Sequence, residues 1–283
     1  MRLSPSLGAA AVVAGLLSVG AALLAMPDAS LLWAVVTLAA LCGHALTASG
    51  TARVRWGVAT GAGVFVLVAA ANLLWHRGWG TDAGDLARGQ ATARAYLLER
   101  WQDGMDRQRI IVWGLVLGVL LLAVAVSALP ARGGRHGVVT TLLAPAALVW
   151  CGLSVASTPG EPPLLDLFAA VWPGLLAVLV TAGVLAASGW RSDRRGLLPT
   201  GMILLALVAV RACSALASAW ATWWTLVEPA EDAFLQPGIM ISVGAPAASA
   251  IEVSSAVEMA VALGGVGLAV VGALRAHRET EGR

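Results

Sequence analysis

The chain contains no lysine, and all 18 of its basic residues are arginine. A Schiff-base lysine therefore cannot exist, which excludes retinal photochemistry. Charge of either sign is scarce: 12 % of residues are charged, against about 25 % in an ordinary soluble domain. A formal net charge of +2 is too small to mark a nucleic-acid partner. Cysteine is scarce as well. Cys42, Cys151 and Cys213 lie far apart, form no C-x-x-C pair, and read as small apolar packing residues. No Walker A, H-E-x-x-H, G-x-S-x-G, Asp-rich diphosphate motif or haem-type histidine pair is present. An enzyme is thus disfavoured, and neither a cofactor nor a metal is expected.

What is abundant is hydrocarbon. Apolar residues make up 59 % of the chain. Runs of about 20 apolar residues recur from end to end, each long enough to cross a ~30 Å hydrocarbon core. The runs are continuous rather than alternating, which favours helices over a closed barrel. The expected fold is all-α, a polytopic transmembrane bundle of about eight spans forming one integral membrane domain over residues 1–283. Spans are placed near 7–26, 31–48, 56–75, 110–129, 138–157, 167–189, 197–224 and 247–274. The first run is longer than a signal-peptide core and follows a start carrying only Arg2, so it reads as a retained helix.

Loop charge orients these spans. With the N-terminus cytoplasmic, the inner segments hold Arg2, Arg53, Arg55, Arg132, Arg135, Arg191, Arg194, Arg195, Arg275, Arg278 and Arg283. The outer loops Pro27–Ser30, Thr158–Asp166 and Glu228–Gly238 hold acids and no arginine. The long outer loop 76–109 holds six arginines against five acids, and its length makes its charge count less; every short loop fits the positive-inside rule with both termini cytoplasmic. Trp33, Trp75, Trp79, Trp113, Trp223 and Trp224 fall at outer boundaries, and Trp56 and Trp190 at inner ones, where amphipathic rings prefer to sit. The arginine-only, Ala/Gly/Val/Leu-rich composition has the look of a GC-rich bacterial genome, so the expected location is the plasma (inner) membrane. The expected partners are the lipid bilayer and no nucleic acid.

The outer loop 76–109 is the one sizeable segment outside the spans. Leu86, Leu97, Trp101 and Met105 recur at roughly helical spacing, and Asp103/Arg107 and Asp106/Arg109 pair at i+4 and i+3. The spacing predicts an amphipathic helix, continuous with span four or lying on the membrane, and a candidate docking element for a membrane or extracytoplasmic protein. Gly57–Gly61 and Gly114–Gly118 are G-x-x-x-G pairs, read as packing within the chain before a dimer face. The last span adds Gly264, Gly265, Gly267 and Gly272. Pro145 in span five and Pro173–Gly174 in span six are expected to interrupt their helices, and Pro237 to Pro246 reads as an interfacial turn or a re-entrant piece.

Arg211 stands inside "LLALVAVRACSALASAW". It lies 15 residues beyond Gly196, roughly 22 Å of helix rise. A charge at such depth needs a partner. Glu258, 17 residues before Arg275, and Asn72, 17 residues after Arg55, reach a similar height, roughly 25 Å. A buried Arg211–Glu258 pair with Asn72 nearby is therefore expected, with Glu252 further out as a second partner or a wet residue. His44, nine residues before Arg53 and so roughly 14 Å up, is separate. A lone histidine in a span more often bonds a neighbour than binds metal.

Such a polar layer has a structural reading, in which it fixes how two spans meet, and a functional one, an ion, proton or solute path. The expected function is a permease-like or channel-like integral membrane protein with Arg211, Glu258, Asn72, Glu252 and His44 as candidate path or layer residues. The alternative is a non-catalytic membrane subunit or scaffold that anchors or assembles a complex, and a membrane enzyme ranks third.

Overall fold

The computed structural model describes residues 4–48, 52–79, 90–127, 164–187, 196–227 and 251–281. Among them the chain is all-helical: α1 (Ser4–Leu23), α2 (Pro27–Thr47), α3 (Ala52–Trp79), α4 (Gln90–Ser127), α5 (Leu164–Ala187), α6 (Leu197–Val227) and α7 (Ile251–Glu281). Six carry stretches long and apolar enough to cross a membrane. In α5 the described apolar stretch, Val171–Gly183, is shorter. The protein is thus an integral membrane protein whose helices meet lipid. The span expected at 138–157, with Pro145 and Cys151, and the Pro237–Pro246 piece lie outside the described residues.

Two helices begin earlier than the loops had suggested. Pro27–Ser30, expected as an outer loop, is the first turn of α2. Proline loses nothing at a position whose N–H has no helical partner, and Asp28 beside it complements the positive end of the helix dipole. Asp166, assigned to the Thr158–Asp166 loop, likewise falls in the first turn of α5.

What remains between α1 and α2 is a tight Schellman turn. Met26 N–H donates to Ala21 O at 2.9 Å and Ala25 N–H to Ala22 O at 3.1 Å. The turn needs a left-handed residue, and Ala25 supplies it at φ 55°. Alanine is strained there. Ala25→Gly is expected to raise stability by about 0.5–1 kcal/mol, seen as a higher unfolding midpoint in detergent. Ser18 Oγ closes the same hairpin by donating to Ser30 O at 2.8 Å.

Packing between helices rests on small residues. The two G-x-x-x-G pairs face each other. A Cβ on Gly57 or Gly61 would strike Ala125 or Leu122, and one on Gly114 or Gly118 would strike Val68 or Phe65. Each step along α3 is matched by a step back along α4, so the two run antiparallel with their backbones close. Without a hydrophobic drive between helices in lipid, such close approach is what holds them together.

α4 is a single helix of 38 residues, about 57 Å long, and its apolar stretch is Gly104–Ala125. Within the 76–109 segment, residues 90–109 are therefore continuous with this span rather than a separate surface helix, and residues 76–79 are the end of α3. Arg109 and Asp106 pair at 3.3 Å on its exposed face.

Pro173 does not interrupt α5, which continues from Leu164 to Ala187. In membrane helices neighbouring segments can satisfy the backbone group that a proline frees. Its neighbour Gly174 lets α5 press on α6 at Val210 and Cys213.

α7 packs on α6, α1, α2 and α3, while α6 lies between α5 and α7 and also meets α4. The shared interior is built of Ala, Val and Leu, including Val58, Val116, Leu122, Leu198, Leu205 and Val266. Cys42 and Cys213 act as packing residues, and Cys42 Sγ also leans on Ala59 O at 3.4 Å.

Candidate functional site

Glycine sets the register between α6 and α7. A Cβ on Gly201 would collide with the backbone nitrogen of Ala269, and one on Gly272 with that of Leu198. One on Gly265 would stand 3.1 Å from Leu205 Cγ. Going from Leu198 toward the C-terminus of α6, each contact has its mate proportionately further back along α7. Carried one more step, this antiparallel register puts Arg211 opposite Glu258. There Arg211 Nε donates to Glu258 Oε1 at 2.9 Å, closing an ion pair between the two helices.

The pair is not buried, as depth counting had suggested: the two side chains are 53 % and 48 % exposed. Counting rises gives a height on the helix but not an angle around it. The buried positions of α6 include Met202, Leu205, Ala209, Cys213 and Leu216. Thr200, Leu207, Arg211 and Ala215 form the opposite, exposed stripe. Arg211 therefore reaches round the rim of a sealed seam. Both residues still belong to apolar stretches, Leu197–Ala217 and Ala256–Ala276.

The remaining candidates do not gather there. Asn72 is partly buried on α3 and, among the described residues, makes no hydrogen bond to either member of the pair. Glu252 belongs to the first turn of α7, and its side chain lies outside the described residues. His44 sits in the last turn of α2, packed over Gly8 of α1. Its expected height of roughly 14 Å counted residues beyond Thr47 as helix; only about one turn separates it from the helix end.

Near that end Arg55 Nη1 donates to Ala48 O at 3.3 Å, capping α2 from the first turn of α3. Among the described residues no three His, Cys, Asp or Glu side chains stand close enough to hold a metal ion. The buried polar side chains described are all hydroxyls: Ser18, Ser30, Thr37, Thr181 and Ser214.

Two features escaped the sequence reading. Gly201, the partner of the glycines in the last span, is isolated in sequence and gives no motif. Trp113 and Trp172 meet edge to face, with centroids 5.8 Å apart, between α4 and α5. No protein-family model, curated protein or solved structure matches the chain.

Proposed function

We propose that the protein is a permease-like or channel-like component of a bacterial inner membrane, in which the rim of the α6–α7 seam at Arg211 and Glu258 forms one wall of an ion, proton or solute path. The topology proposed with it has eight spans and both termini cytoplasmic. The supporting observation is the half-open ion pair within apolar stretches of two helices. Ionisable groups facing acyl chains are costly, whereas a water-filled cavity relieves that cost. Asn72 on α3 and Glu252 at the start of α7 would line the path further along, and His44 would stand near its cytoplasmic end. The buried polar side chains of the described residues are hydroxyls, which favours a path beside the seam over one through the bundle centre.

The same dry interior favours a second reading, a non-catalytic membrane subunit or scaffold. In it a partner's membrane helix covers the pair, and the 76–109 segment adds an extracytoplasmic contact. Thiol labelling separates the two readings. In a chain whose native cysteines are replaced by alanine, Val257→Cys lies beside Glu258, and Leu16→Cys on α1 is an exposed apolar control. In native membranes, transport requires a charged, membrane-impermeant thiol reagent to label Val257→Cys and to spare Leu16→Cys. Protection of both sites, with a stoichiometric membrane protein co-purifying, would end the transport reading in favour of the subunit.

A further inference from the structure

The bond between Arg211 and Glu258 uses only Nε and Oε1. A guanidinium carries five N–H donors and a carboxylate two oxygens. Among the described residues, the terminal amines Nη1 and Nη2 of Arg211 have no acceptor, and Glu258 Oε2 has no donor. Both side chains are half-open, so these unused atoms are reachable from outside the bundle. The seam cannot close over them by sliding, because Gly201 and Gly272 already bring α6 and α7 to backbone contact.

The surroundings restrict what these atoms can take. Leu207 lies one turn before Arg211, Val257 precedes Glu258, and both are exposed apolar side chains. The pair is neutral as a unit. A lone anion on the guanidinium, or a lone cation on the carboxylate, would leave a net charge in an apolar stretch, where ions are penalised. A ligand bearing both charges leaves none. Its oxyanion would take the two parallel N–H bonds of the terminal amines, the strong bidentate mode of arginine, and its ammonium would donate to Glu258 Oε2.

We infer that the Arg211–Glu258 pair is a binding site for a zwitterionic group, an ammonium joined by a short linker to a phosphate or carboxylate. Two sources carry this chemistry: the headgroup of phosphatidylethanolamine and a free amino acid. The inference rests on the reading of the α6–α7 rim as the working face, though not on transport.

The test uses the full chain in nanodiscs of phosphatidylglycerol. One arm adds phosphatidylethanolamine and counts retained lipid by native mass spectrometry; the other measures uptake of labelled glycine or leucine by equilibrium dialysis. One arm should give a single ligand per chain. Its counterparts lacking one charge, N-acylated phosphatidylethanolamine or an amino-acid methyl ester, should bind about tenfold more weakly or worse. That comparison needs no variant, so a folding defect cannot obscure it.

Arg211→Gln and Glu258→Gln should each weaken binding by a similar factor. Equal binding of N-acylated phosphatidylethanolamine, or an Arg211→Gln loss with Glu258→Gln unaffected, would overturn the inference in favour of a simple anion site, and equal binding of the methyl ester would overturn it in favour of a simple cation site. Failure of both arms overturns it outright. Saturable binding with no flux into proteoliposomes would keep the site and remove the transport reading.

Discussion

Alanine at Gly201 or Gly272 should destabilise the protein by about 2–3 kcal/mol, near the upper end of the range for an overpacked interior. At both positions the new methyl would meet backbone, Ala269 or Leu198 respectively. Backbone cannot rotate away as a side chain can, so α6 and α7 must separate. Gly61→Ala should cost less, because its nearest obstacles are side-chain atoms of Leu122 and the backbone nitrogen of that residue stands further off, at 3.1 Å. Gly264→Ala is the control. Nothing lies within 4 Å of a Cβ there, and trading glycine for alanine in a helix interior is worth up to about 1 kcal/mol in favour of the helix. Unfolding titrations of the purified protein in mixed micelles would rank the variants. If Gly272→Ala matched Gly264→Ala, the seam would not be the close contact described.

How far the sequence anticipated this arrangement depends on the kind of question. Continuous apolar runs are a property of composition over many residues, and they gave the helical membrane class directly. Helix ends depend on single turns. Pro27 and Asp28 look like loop residues by type but suit a first helical turn, and the chain used them so. Pro173 looks like a breaker, yet α5 continues through it because the membrane helix has neighbours to lean on. The G-x-x-x-G pairs were readable because both members sit on one helix. Gly201 was not, since its partners Gly265 and Ala269 lie on another helix.

The ion pair shows the same division. Height is one-dimensional and can be counted, which is why Arg211 and Glu258 could be matched across 47 residues. The angle around the helix follows from the buried stripe. That stripe is hard to see in α6, where nearly every residue is apolar and the exposed face, among the described side chains, carries Thr200, Leu207, Arg211 and Ala215. Asn72 was counted to a similar height, yet among the described residues it makes no hydrogen bond to the pair.

The pair itself invites a double-mutant cycle. Arg211→Leu alone strands a carboxylate, and Glu258→Leu alone strands a guanidinium. An uncompensated charge at the centre of a membrane helix costs about 2.5–3.5 kcal/mol on translocon scales. Half exposure reduces that, so each single change should cost about 1–2 kcal/mol. The double change removes both charges and should cost less than the two singles together, leaving a coupling of about 1 kcal/mol.

Salt then reports what covers the pair. The screening length shrinks from about 10 Å at 0.1 M to about 3 Å at 1 M. Where water reaches the pair, as the path reading requires, the coupling should fall by half or more over that range. Where lipid or a partner helix seals it, the coupling should hold. Additive single mutants at low salt would mean that the 2.9 Å contact contributes nothing to stability, and the α6–α7 register would then rest on its glycines alone.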